Sequence, residues 1–423
     1  MAKLKRALGL LETTLCGIGI ILGAGIYVLI GAGAGLAGSA LWLAFVIAAI
    51  VSAFSALSYA ELSSMFPKAA STYEYVRNAF GRLPAFIIGW LMLVGLVVGA
   101  ATVSLGFASY FSALTSTQQW VGSFLIIAFS TIVLLFGIRE SSLVGIIATL
   151  IEASGLAIVI AIAIPHLGSV NYLELSEFGV GGIFAAAALV FFAYLGFEDM
   201  VKLSEEVKDA ERTMPRAIIL AITATTILYV LVALSAVSIL PWQELALSKA
   251  PLADVAGTVF GPSVYSLVGI IALFATGNTV LFMLLAGSRL VYGMAEEDAL
   301  PNVLSFVNKR GVPFYATITV CAITYVATYM GDVQLAALVT DLVLFFVFVA
   351  INASVIALRY KLPDAKRPFK VPLSIGRFPL LPFFGLLSSV ILIVNVQPEA
   401  YPYGLFLALL GAVVYFFKER RWK

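Results

Sequence analysis

Histidine occurs once in the chain, at His166, and cysteine only twice, at Cys16 and Cys321. A single histidine, placed by the hydropathy pattern in an outer loop, excludes a histidine-based metal centre or catalytic dyad. Both cysteines fall inside apolar runs and read as packed small hydrophobes, so they set neither a disulfide framework nor a redox compartment. Charge is scarce as well. Lys, Arg, Asp and Glu make up 11% of the 423 residues, and 25 basic against 23 acidic side chains leave a net charge of +2. That balance offers nothing to a nucleic acid. Low-complexity segments are absent, and no connection between apolar runs is long enough to form a domain.

What the chain has in abundance is apolar residue, 62% of the total, with a mean hydropathy of +1.06. A soluble core cannot enclose that much, which places the protein in a lipid bilayer. At roughly 20 residues per crossing, about 260 apolar residues cap the count near about 13 spans. Uninterrupted apolar stretches predict twelve: Leu11–Gly35, Ala40–Ser64, Leu83–Ala113, Trp120–Ile138, Ser141–Ile164, Gly181–Met200, Met214–Leu240, Ser263–Gly293, Pro313–Met330, Val333–Leu358, Leu380–Val396 and Tyr401–Phe417. The basic start, MAKLKRALGLLE, leads into an apolar run too long for a signal-peptide core and lacks a small-residue cleavage site, so it reads as a cytosolic lead-in.

The basic residues test this count independently, because cytosolic loops hold the Lys and Arg excess. With twelve spans and a cytosolic start, Lys3, Lys5, Arg6, Lys68, Arg77, Arg82, Arg139, Lys202, Lys208, Arg212, Arg216, Arg289, Lys309 and Arg310 fall on one side. Arg359, Lys361, Lys366, Arg367, Lys370, Arg377, Lys418, Arg420, Arg421 and Lys423 join them. Only Lys249 is left for the outer face, where Pro241 to Pro262 reads as a short surface helix. Both termini are therefore expected in the cytosol.

The first and sixth spans are interrupted by glycine, in GIGIILGAGIY from Gly17 to Tyr27 and FFAYLGFED from Phe191 to Asp199. Unpaired backbone groups are not tolerated in lipid, so a break at that depth must be buried or line a cavity. Gly19 and Gly23 alone also fit a close-packing face of the GxxxG kind. The matching interruption five spans later points instead to an inverted repeat with a midplane site. If both helices break, the N–H groups of Ala24, Gly25 and Ile26, beyond Gly23, open a half-helix whose positive end favours a carboxylate. Carbonyls near Phe191 and Phe192 would suit an ammonium, and a zwitterionic amino acid matches that pair of ends. Phe191, Phe192 and Tyr194 offer rings to cover it, or simply pack.

Five segments together resemble a known family: GAGIYVLIG in the first span, Ser58 to Gly81, Phe191 to Ile218, Ser288 to Pro301, and RPFKVP from Arg367 to Pro372. They are similar to the amino acid, polyamine and organocation superfamily, in particular its cationic amino acid transporter-like branch. The resemblance implies an all-α membrane protein with a leucine-transporter-type fold. Ten helices form two inverted five-helix repeats, about 11–165 and 181–358, followed by two added helices at 380–417, all in one transmembrane domain. It implies secondary transport of amino acids across the plasma membrane, read as proton-coupled uptake in preference to amino acid exchange or sodium symport, with no cofactor beyond the coupling ion and with substrate and lipid as partners. By the same resemblance Ile21, Ala24, Gly25, Ile26, Phe192 and Leu195 contact substrate, with Phe192 at the position of an aromatic lid and Glu198 at an acidic gating position.

Two positions depart from the branch. Gly95, in GWLMLVGL, stands where it carries a carboxylate, which argues against a strongly cationic preference. Glu152 stands where proton-coupled relatives place a lysine, on an alignment through Phe136 to Arg139. It lies 13 residues beyond Arg139, about 20 Å along a helix and so near the centre of a roughly 30 Å core. An intramembrane carboxylate is costly and by default functional. It could carry a proton, bind a cation beside first-span carbonyls, or pair with another polar group. Asp341, 18 residues before Arg359, is carried about 27 Å along its helix toward the outer interface. Glu12 and Glu61 sit at span ends and are expected to cap or pair with neighbouring cations. Asn278 and Thr279 read equally as interhelical hydrogen-bond partners or ion ligands. An intramembrane enzyme would need paired groups at one depth, and Glu152 and Asp341 are offset. A nutrient sensor would need a soluble output segment, and none is expected between or beside these apolar runs.

Overall fold

The computed structural model describes residues 8–66, 71–136, 138–200 and 207–421. Lys3, Lys5, Arg6, Lys68, Lys202, Lys423 and Gly137 lie outside the described residues, as do the side chains of Arg139, Lys418, Arg420 and Arg421. The helices are α1 (Leu10–Ile21), α2 (Ala24–Ala37), α3 (Leu41–Met65), α4 (Ser71–Phe80), α5 (Arg82–Thr115) and α6 (Gln119–Phe136). Then come α7 (Ile138–Ala163), α8 (Gly179–Val190), α9 (Phe197–Met200), α10 (Ala210–Ile239), α11 (Trp242–Leu247) and α12 (Pro251–Phe260). The last are α13 (Pro262–Glu296), α14 (Phe314–Ala327), α15 (Val333–Lys361), α16 (Leu380–Asn395) and α17 (Tyr401–Arg421). The sole sheet among the described residues is a hairpin of β1 (Ser374–Ile375) and β2 (Phe378–Pro379).

Nine helical stretches among the described residues are long and apolar enough to cross a membrane. Helix is the expected outcome for such sequence, because lipid supplies no hydrogen bonds and each segment must satisfy its own backbone. The long helix α5 is the spine, and small residues let others close on it. A Cβ on Gly95 would lie 2.7 Å from Leu344 of α15, one on Gly99 3.2 Å from Met283 of α13, and one on Gly106 2.4 Å from Val28 of α2.

The first span is in two pieces. α1 ends at Ile21, Leu22 and Gly23 are extended, and α2 restarts at Ala24. The sixth span also divides: α8 ends at Val190, a 3₁₀ turn covers Phe191–Tyr194, and α9 begins at Phe197. Gly196 joins the pieces at φ +109°, a conformation open to glycine and rarely to other residues. Glu12 and Glu61 behave as expected of span-end acids. Glu12 Oε2 accepts from the Gly9 N–H at 3.0 Å, and Glu61 is paired with Arg359 and Arg367. Two expectations change. The stretch after Pro241 forms two helices rather than one surface helix, and α12 is largely buried because Leu252, Ala253, Val255 and Ala256 are apolar and pack inward. Cys321 is buried, but Cys16 lies on the exposed side of α1.

Candidate functional site

The two breaks meet. A Cβ on Gly25 would lie 2.5 Å from the Cα of Ala193, and one on Gly196 2.8 Å from the carbonyl oxygen of Ile20. Each interrupted span thus puts a glycine against the backbone of the other, a separation that no side chain fits. The GxxxG reading fails on partners: Gly19 faces Thr149 of α7, whereas Gly23 faces Thr279 of α13. One face is not packing against one helix.

Hydroxyl groups bind the freed backbone ends. The Tyr229 hydroxyl of α10 lies 3.1 Å from the Ile21 carbonyl and 3.0 Å from the Ala193 carbonyl, so a single donor spans both breaks. Ala24 N–H, the first amide of the restarted half-helix, donates to Thr279 Oγ1 at 3.0 Å. Thr279 in turn donates to Ala275 O at 3.1 Å. Asn278 Nδ2 donates to Thr149 Oγ1 at 3.2 Å while its Oδ1 is buried without a partner among the described residues. Glu198 Oε2 accepts from the Gly196 N–H at 3.0 Å, bracing the sixth-span break.

Beside this crossing lies a cavity of about 380 Å³. It runs from the breaks toward the end of the bundle bearing Asp199 and Arg289, and its wall is mainly apolar, including Met92, Leu96, Phe282, Met283 and Leu344. Of the residues singled out in the sequence, Gly95, Leu195, Glu198, Asn278 and Thr279 line it. Ile21, Gly23, Ala24, Gly25, Ile26 and Phe192 belong to the crossing and are not among its walls. Phe191 and Tyr194 turn into the core. The Phe191 ring meets Phe345 with centroids 4.8 Å apart, and the Tyr194 hydroxyl donates to Phe45 O at 3.0 Å.

Two fully buried carboxyl groups have no ion pair among the described residues. Glu152 is fully buried in α7, and neither of its side-chain oxygens has a hydrogen-bond partner among the described residues. Tyr27 of α2 donates to the Glu152 backbone carbonyl at 2.7 Å. Gly155, one turn along, makes room for the Tyr27 hydroxyl, which would lie 2.6 Å from a Cβ there. Asp341 of α15 is equally buried, with both oxygens unpartnered among the described residues. It lies inside the bundle, next to the Phe192 amide of the sixth-span break. Tyr229 and Arg289 carried no signal in the sequence, since one is an aromatic in an apolar helix and the other one cation among many. No group of three or more His, Cys, Asp or Glu side chains able to hold a metal occurs among the described residues.

A profile of the amino acid permease family matches residues 8–415. A branched-chain amino acid permease of Bacillus subtilis is 32% identical, over 99% of this chain and 94% of that protein. The methylthioribose transporter of the same organism is 29% identical over the same shares. The vacuolar cationic amino acid transporter 4 of Arabidopsis thaliana is 31% identical over 88% of this chain and 65% of its own length. With its apolar helices and paired interruptions, this chain belongs to the amino acid permease family of membrane transporters.

Proposed function

We propose that the protein is a secondary active transporter of the plasma membrane. It takes up amino acids with apolar side chains by alternating access, coupled to protons, with both termini in the cytosol. The observation that carries this reading is the crossing of the two broken spans at the edge of the apolar cavity. On this reading the amides at the start of α2, at Gly25 and Ile26, take the substrate carboxylate at the cavity's edge, and carbonyls near Phe191 and Phe192 take the ammonium once the crossing opens to it. Met92, Leu96, Met283 and Leu344 receive the side chain. Gly95 supplies no carboxylate for a cationic one, and the branched-chain permease is among the relatives.

A twelve-span arrangement is supported by dividing Ala24–Met65 at Gly38 and by counting the shorter apolar helices Phe314–Met330 and Leu380–Asn395. Within it, 11–165 and 181–358 act as inverted repeats and 380–417 as the added pair. Glu152 carries the proton, its burial and lack of partners being what a carboxyl that is neutral in part of the cycle requires. A second reading is sodium coupling, favoured by the unpartnered Asn278 Oδ1 beside the first-span break.

Proteoliposomes under an inward proton gradient, assayed with each amino acid in turn, test both readings. Accumulation of leucine-like substrates is expected, and Glu152→Gln should abolish it while leaving binding intact. Accumulation that follows a sodium gradient instead selects the second reading. Unchanged uptake by the variant removes Glu152 from coupling.

A further inference from the structure

A second cavity, of about 200 Å³, lies far from the broken spans and is lined by Arg359, Arg367, Lys370 and Arg377. Its floor is rigid. The buried Glu61 carboxylate receives Arg359 Nε at 3.0 Å, Arg359 Nη2 at 2.6 Å and the Val371 N–H at 2.7 Å, with Arg367 Nε at 3.4 Å. Arg367 also donates to the Leu358, Leu362 and Ala365 carbonyls at 2.8, 2.9 and 3.0 Å, closing the end of α15. Its rim is different. Lys370 and Arg377 are exposed, and neither has a hydrogen bond or ion pair among the described residues. Of the four cations, Arg359 and Arg367 are paired with Glu61 and the other two have no described ion pair. Such a cavity favours an anion with several charged oxygens, and phosphate is that chemistry.

The neighbouring backbone indicates where the phosphate comes from. Arg377 sits in the turn between β1 and β2. Ser374 of β1 is exposed and accepts a hydrogen bond from Arg359. Leu373 and Ile375, on either side of it in the chain, are apolar and 64% and 71% exposed. The hairpin runs directly into α16, whose 16 residues span about 24 Å, with Phe383, Phe384 and Leu387 exposed along it. Leu373 and Ile375 thus put exposed apolar surface beside a basic cavity whose Lys370 and Arg377 have no charge partner among the described residues, one short hairpin from an apolar helix.

We propose that this cavity binds the phosphate of an anionic phospholipid, held by Lys370 and Arg377, with Leu373 and Ile375 seated among its acyl chains. Basic pockets at the ends of membrane helices suit such headgroups.

Thermal unfolding of the full-length protein in detergent tests the proposal, titrated separately with dioctanoyl phosphatidylglycerol, dioctanoyl phosphatidylcholine and inorganic phosphate. The anionic lipid should raise the midpoint saturably and phosphatidylcholine should not. Lys370→Gln/Arg377→Gln should bind the anionic lipid about 30-fold more weakly. Leu373→Ser/Ile375→Ser should weaken that lipid while leaving any phosphate response as in the wild type. Equal saturation by inorganic phosphate, undiminished lipid binding by the rim variant, or no response to the anionic lipid each overturns the proposal.

Discussion

Replacing Tyr229 with phenylalanine deletes one oxygen, creates almost no cavity and keeps the ring contacts with Phe45 and Tyr194. What goes is the only side-chain donor described for the carbonyls of Ile21 and Ala193, one in each broken span. A lost hydrogen bond costs about 0.5–1.5 kcal/mol, and a buried acceptor left unpaired about 1–3 kcal/mol. With two carbonyls affected and partial relaxation, about 2 kcal/mol is expected. If the crossing forms the substrate site, this appears in binding as an affinity loss of roughly 30-fold. Tyr194→Phe is the matched control, since its hydroxyl serves Phe45 O on α3 rather than either broken span's freed carbonyls. It should lower thermal stability with little effect on affinity. Scintillation proximity binding of a labelled branched-chain amino acid, alongside thermal unfolding in detergent, separates the two. Equal affinity losses, or none from Tyr229→Phe, would refute the argument that one hydroxyl sets the geometry of both breaks.

Gly196→Ala meets two obstacles, φ +109° and an Ile20 oxygen 2.8 Å from the new Cβ; a cost of about 2 kcal/mol or more should appear as a lower unfolding temperature and lost transport. Glu61→Gln leaves Arg359, only 3% exposed, without its charge partner, and should cost about 3–5 kcal/mol. Glu61→Gln/Arg359→Met should recover part of that in a thermal double-mutant cycle, whereas strictly additive losses would deny the coupling.

Much of the architecture could be read from residue order because membrane burial imposes long apolar runs, and these survive as helices within a few residues of their expected ends. The breaks at Gly23 and Gly196 were readable for the same reason, since glycine inside an apolar run leaves a local mark. Position in three dimensions was not. Phe191 and Tyr194 could either cover a ligand or pack, because residue order places them at the break without giving their direction; a 3₁₀ turn points them into the core. Tyr229 lies 208 residues from Ile21, and nothing local distinguishes its hydroxyl from any other aromatic in a span. The depth of Asp341 was counted along one helix, whereas its surroundings depend on how α15 packs beside α8. Glu61, by contrast, was sensibly read as a pairing acid, although its partners came from the far end of the chain.

The reciprocal contacts of Gly25 with Ala193 and Gly196 with Ile20 bear on how such a protein can change over generations. A side chain enlarged on one strand of the crossing has no solvent or flexible neighbour to move into, only the backbone of the other. Neither segment can drift alone. Substitutions there should arrive in matched pairs, and the freedom to alter substrate preference should fall instead to wall positions such as Met92, Leu96 and Leu344. New specificities would then arise without disturbing the crossing they surround.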